Sequence, residues 1–232
     1  MTQVSFLRHG AFFGPEDAEN KVFCLIGTGA TGSWAALMAA KMGWHNFAIW
    51  DADVVESHNL PNQAYDIEHI GQKKVFALEA VLKRFNPNVQ IKSYDYFFDA
   101  SNPDHVAELS DYVFIAVDSL DTRKDIYSCI KLHPFVDVVF ETRMGFTHAE
   151  LNIIKSSDII KIDEIISMLK TDEEVTEAAC NERIITSLVS IVSSALVHSL
   201  CYITSSSRTG NSFQNYGKTI FNLSPNLTTY HS

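Results

Sequence analysis

The chain has 232 residues, 46% of them hydrophobic and 20% charged, with a formal net charge of -10. That composition suits one globular α/β domain with a full core. No cluster of lysine and arginine stands out against the acidity, which argues against a nucleic-acid partner and leaves room for a local basic site taking ATP or an acidic peptide.

The opening MTQVSFLRHGAFF has neither a basic start nor a long apolar run, so no signal peptide is expected. Lys21 to Ile26 is an apolar run of strand type. Gly27, Gly29 and Gly32 follow as GxGxxG. Trp34 to Met42 is an alanine-rich helix, and Phe47 to Trp50 is a second strand that ends at Asp51. Such glycines let backbone N–H groups approach a polyphosphate, and the helix N-terminus adds its positive dipole end. Asp51 stands roughly twenty residues beyond the loop, where an acid grips a ribose hydroxyl. This unit alone fits an NAD enzyme as well as an ATP enzyme and leaves the reaction open.

After Asp51 comes a polar, irregular stretch to Gly71. Lys73 to Phe85 reads as an amphipathic helix with Phe76, Ala80, Val81 and Leu82 among its apolar positions, stopped by Asn86-Pro87-Asn88. Val89 to Tyr94 reads as a strand and Pro103 to Leu109 as a short helix. Tyr112 to Val117 is a buried strand ending at Asp118, Leu120 to Leu132 is helical, and Phe135 to Glu141 is again a strand. The alternation through residue 141 predicts a Rossmann-like α/β fold, a doubly wound and mostly parallel sheet. Past residue 141 the rhythm changes. Thr147 to Ile154 reads as a strand and Lys155 to Asn181 as charged and mostly helical. The uncharged segment Ile184 to Ile203 carries too many hydroxyls for lipid and is expected to be a helix buried in protein, with no membrane partner. Gly210 to Gly217 is a loop, and Lys218 to Leu223 with Leu227 to Tyr230 form a terminal hairpin around Ser224-Pro225-Asn226, an antiparallel C-terminal extension.

The loop after the second strand narrows the function. It reads Asp51-Ala-Asp53-Val-Val-Glu-Ser-His-Asn59-Leu-Pro-Asn62-Gln63, and Gly71-Gln72-Lys73-Lys74 opens the next helix. Asp118 is followed by Arg123, and Arg143-Met144-Gly145 follows the later strand. Here the chain resembles the ThiF/MoeB/HesA family of ubiquitin-activating-type adenylating enzymes. Asp51, Asp53, Val55, Asn59, Leu60, Gln63, Gly71 and Lys74 match its D-x-D-x-V-x-x-x-N-L-x-R-Q and G-x-x-K pattern, and nearly the whole chain is covered.

The resemblance implies a single adenylation domain over residues 1–232, with a nucleotide-binding half (1–141) and a carrier-protein-binding half (142–232). It implies ATP and Mg²⁺ as cofactors. Gly27, Gly29, Gly32, Asp51, Asp53, Asn59, Gln63 and Lys74 would bind the nucleotide, Lys74 and Asp118 would be catalytic, and Asp118 would hold the metal. Activation falls on the C-terminal carboxylate of a small ubiquitin-like or sulfur-carrier protein, and a conjugating enzyme or sulfurtransferase follows as a further partner. A homodimer is expected.

The four cysteines are Cys24, Cys129, Cys180 and Cys201, with no CxxC pair. That spacing excludes a local zinc ribbon, so no zinc is expected, and it argues for a reducing, cytoplasmic setting. Cys24, Cys129 and Cys201 read as buried structural residues. Cys180 precedes the apolar helix, and by resemblance it would take the acyl group as a thioester or acyl disulfide.

The sequence departs from the family at Asn62, where a phosphate-binding arginine is usual, and at Ala30, a glycine in relatives. It also has a short N-terminal arm, in which Arg8 is the available substitute for an arginine reaching across a dimer. Two further readings remain open at this level: a catalytically degenerate binding subunit of the same family, and an NAD(P)-dependent oxidoreductase.

Overall fold

Short buried runs make the centre of the sheet. The computed structural model describes residues 4–145, 147–171, 186–210, 212–223 and 227–231. Phe23–Ile26 (β1), Asn46–Trp50 (β2), Gln90–Tyr94 (β3), Asp111–Ile115 (β4) and Val136–Met144 (β5) lie parallel, in the order β3-β2-β1-β4-β5. β1 is buried along its whole length and β4 from its second residue on. A strand covered on both faces has no polar side, hence the uninterrupted apolar runs. His148–Lys155 (β6), Gly217–Asn222 (β7) and Thr228–His231 (β8) then continue the sheet antiparallel. The fold is the Rossmann-like, mostly parallel sheet with an antiparallel C-terminal extension that the alternation predicts.

Several boundaries differ from the sequence reading. β5 runs on to Met144, so Arg143 and Met144 lie in the strand rather than after it, and residue 141 falls in mid-strand. Antiparallel pairing with β6 extends β5, because Arg143 and Met144 face Glu150 and Ala149 there. The chain reverses direction between β5 and β6. The first strand begins at Phe23, since Lys21 is drawn aside to Asp111 (2.7 Å) and Asp137 (3.3 Å).

Six α-helices are described: Ala30–Met42 (α1), Lys74–Phe85 (α2), Pro103–Ala107 (α3), Leu120–Ile130 (α4), Ile159–Met168 (α5) and Thr186–Thr209 (α6). α1 starts four residues before Trp34, directly from Gly29 as its N-cap, and ends at Gly43 with φ of 111°. A left-handed residue there releases the last turn at no side-chain cost. α2 buries Val75, Ala77, Leu78, Val81 and Leu82, while Phe76 and Ala80 are exposed. The expected stripe is therefore rotated, since the helix docks through the 75–78–82 row. α5 lies within the segment expected to be helical, and 172–185 is outside the described residues.

α6 packs against α1 and β6. It buries Leu188, Val189, Val192, Ser193, Leu196, Val197, Leu200 and Cys201. It runs six residues past Ile203, its hydroxyls bonding back to carbonyls one turn earlier, as Thr204 Oγ1 does to Leu200 O at 2.7 Å. Length and composition alone would let Thr186–Ser206 cross a membrane.

Candidate active site

The strand order reverses between β1 and β4, and open α/β sheets bind ligands in the crevice at such a point. The glycine loop fills it. Gly27 has φ of +99°, and a Cβ there would meet the Ala116 carbonyl oxygen at 2.6 Å. A Cβ on Gly32 would strike the Gly27 carbonyl. A Cβ on Gly29 would meet nothing within 4 Å. Two glycines therefore serve close packing, and the third leaves an open backbone surface. A cradle of this kind at the start of α1 suits a phosphate chain.

Asp51, at the end of β2, is 6% exposed. Its Oδ2 accepts from Thr28 N (2.8 Å) and Thr28 Oγ1 (2.9 Å), and its Oδ1 accepts from Asp53 N at 2.9 Å. All three donors are neutral, so its charge is not cancelled, and Oδ1 retains acceptor capacity for a hydroxyl. Lys74 is 8% exposed and meets Asp53 Oδ2 at 2.7 Å. Lys73 reaches back too, donating to the Ala52 carbonyl at 2.5 Å. Tyr65 knits loop to helix: its hydroxyl donates to Thr28 O at 2.7 Å and lies 3.4 Å from Lys74 O. Burial pushes the Tyr65 phenol far above its usual range, so it stays a donor. The structure thus brings Gly27, Gly29, Gly32, Asp51, Asp53 and Lys74 together.

Asn59 and Gln63 sit in the wall of this loop. Asn59 is buried and its Oδ1 caps its own turn, accepting from Glu56 N at 2.9 Å. Gln63 N bonds Asn59 O at 2.9 Å, and Gln63 Oε1 is buried with no partner among the described residues, as is Asn62 Oδ1. The Asn62 carbonyl accepts from Trp34 Nε1 at 3.1 Å. Ala30, the other departure, is the first residue of α1.

Asp118 stands across the switch point, past the end of β4. It is exposed, with Oδ1 accepting from Ser119 N at 2.9 Å. It is not the N-cap of α4: Ser119 is, accepting from Thr122 N at 3.0 Å. An exposed carboxylate at the C-terminal end of a central strand is of a type that suits Mg²⁺.

Arg123 is buried. It donates to Glu141 Oε1 (2.5 Å), Thr142 O (2.8 Å) and Val117 O (2.5 Å). Glu141 is a residue the sequence reading missed. A carboxylate inside the apolar run VDVVFETRM was the available signal, since such a group is buried only with partners. It also accepts from Arg143 Nε and Asn152 Nδ2, each at 2.8 Å. Burial raises its carboxyl pKa, but the charges and hydrogen bonds of Arg123 and Arg143 outweigh that and hold it below the usual range.

Cys180 falls outside the described residues. Burial pushes the thiols of Cys24 and Cys129 up to about 12, and Cys201 is raised as well, so none of the three is a ready nucleophile. Cys129 is half-buried rather than buried. Asp66, Glu68 and His69 converge within 4.8 Å, but Arg84 holds both carboxylates and His69 Nδ1 accepts from Asp66 N. Arg8 is exposed at the N-terminal arm.

Fold and site together define a Rossmann-like α/β protein with an acid-and-lysine loop folded beside a glycine-lined turn. The chain belongs to the ThiF family, whose model matches residues 13–229. It is 33% identical over 109 residues to the adenylyltransferase and sulfurtransferase MOCS3-1 of Zea mays, covering 47% of this chain and 23% of that protein. It is 32% identical over 81 residues to ubiquitin-like modifier-activating enzyme 5 of Dictyostelium discoideum, covering 35% and 21%. The matches thus span about a quarter of those relatives' length. Among solved structures, PaaA superposes with a TM-score of 0.71 at 18% identity, over 94% of this chain and 65% of that one. E. coli MccB, solved also with ATP, gives 0.72 at 12% identity over 94% and 63%. At such identities the likeness is one of fold.

Proposed function

We propose that this chain activates the C-terminal carboxylate of a small ubiquitin-like or sulfur-carrier protein by ATP- and Mg²⁺-dependent adenylation. The observation that carries the reading is the Asp51–Asp53–Lys74 loop closed over the glycine cradle in a ThiF-family chain. The substrate carboxylate attacks the α-phosphorus of ATP, forming the acyl-adenylate as the bond to pyrophosphate breaks. Gly29 and its neighbours admit the phosphates, Asp51 takes a ribose hydroxyl, and Lys74 moves from Asp53 to the phosphate charge that builds on the leaving group. Mg²⁺, when bound, shields that same charge, and Asp118 would hold it. The protein's contribution is positioning and electrostatics.

In a second step Cys180 would receive the acyl group from the adenylate, releasing AMP. A homodimer in the cytoplasm, with Arg8 lent across the interface, completes the reading. One observation favours a different role: Asn62 stands where the family has a phosphate-binding arginine, as in a relative that holds a partner without turnover.

ATP–pyrophosphate exchange with a candidate carrier separates the two. Exchange that depends on the carrier and vanishes in Lys74→Ala and Asp118→Ala supports the enzyme. Folded protein that binds the carrier and shows no exchange sinks it. Cys180→Ala should retain exchange and lose the thiol-sensitive carrier adduct; an adduct that persists refutes the second step.

A further inference from the structure

We propose that Glu141 is a positioning residue for Asp118, acting through Arg123 on the backbone at the end of β4. The inference deepens the adenylation reading, in which Asp118 serves the metal, and adds a residue that the family pattern does not point to.

The β4–β5 ladder stops at Ile115 and Glu141. One residue on, Ala116 N still bonds Ile26 O of β1 at 2.8 Å. Asp118 follows two residues later, with α4 beginning at Leu120. In that gap Arg123 donates to the Val117 carbonyl at 2.5 Å, the residue immediately before Asp118. The same guanidinium bonds Thr142 O and Glu141 Oε1 on β5. It therefore clamps the free end of β4 to the neighbouring strand just where the ladder gives out.

A guanidinium buried to this degree is costly unless a carboxylate faces it. Glu141 is fully buried and supplies that charge. Its four partners come from three elements: Arg123 and Tyr127 of α4, Arg143 of β5 and Asn152 of β6. Two arginines against one carboxylate keep it ionised. Asn152 uses Oε2, so it can be removed without touching the Arg123 clamp on Oε1.

The test compares Glu141→Gln and Arg123→Lys with Asn152→Ala. Arg123→Lys keeps a cation near Glu141 but cannot span all three acceptors, and it serves if Glu141→Gln fails to fold. The first readout is amide hydrogen exchange over residues 116–119 without nucleotide. The second is Mn²⁺ affinity, by electron paramagnetic resonance, with a non-hydrolysable ATP analogue bound. Both clamp variants should speed exchange in this segment and weaken Mn²⁺ by about tenfold. Asn152→Ala should lower the melting temperature and leave both readouts within about twofold of wild type. Unchanged exchange in Arg123→Lys overturns the inference, as does an equal shift in Asn152→Ala, which marks general loosening. A wild type that binds no Mn²⁺-nucleotide undermines the adenylation reading instead, and the exchange comparison still decides the clamp.

Discussion

Two buried carboxylates mark the two sides of the switch point, and they are wired differently. Asp51 accepts only from neutral donors, two backbone N–H groups and the Thr28 hydroxyl. Glu141 accepts from two guanidinium groups, an amide and the Tyr127 hydroxyl. A carboxylate held by neutral dipoles keeps its charge available to a newcomer. One matched against arginines has its charge spent on holding strands and helix together. The contrast separates a group built to meet a ligand from one built to hold the frame that presents it.

The largest effect should come from breaking the frame. Glu141→Ala leaves Arg123 buried without its carboxylate and should cost about 3–5 kcal/mol in urea unfolding. Lys74→Ala comes next, on activity: exchange should fall by about 10²–10³-fold. Among the described residues Lys74 pairs with the exposed Asp53 alone, so unfolding should shift far less than in Glu141→Ala. A large loss of stability in Lys74→Ala, or none in Glu141→Ala, breaks the comparison.

Acid sharpens it. The Glu141 carboxyl lies below its usual value of 4.5, so its contribution is complete above about that pH and is lost as pH falls through the lower folded value. A stability profile of wild type below pH 4.5 should therefore be steeper than that of Glu141→Gln. The smallest effect is at the ligand-facing acid. Thr28→Val removes one of the donors on Asp51 and should cost about 1 kcal/mol of stability. It also frees acceptor capacity on Oδ2, so nucleotide binding by calorimetry should be retained or improved.

The parts of the site that stand out in the sequence are local. The glycine loop, Asp51, Asp53 and Lys74 lie within one β–α–β–loop–helix stretch, where spacing and backbone chemistry follow from the residues themselves. Asn59 shows the limit even there, because its side chain caps its own turn as well as lining the loop. Spacing alone does not choose between Asp118 and Ser119 as the cap of α4, and only the Ser119 contact to Thr122 N does. The burial of Arg123 is not legible in the sequence, because helix periodicity cannot tell which face a distant strand will cover.

The amino-acid sequence by itself determined the alternating β and α elements, the phosphate-type turn and the family, because each rests on short-range pattern and backbone preference. Tertiary structure alone decided what the charged residues face. Glu141 meets Arg123 across 18 positions of chain, and Thr142 Oγ1 meets Thr31 Oγ1 across 111. Burial makes such pairings strong, yet they leave no periodic mark in the chain, since the partner is supplied by another strand or helix and not by a neighbour in sequence.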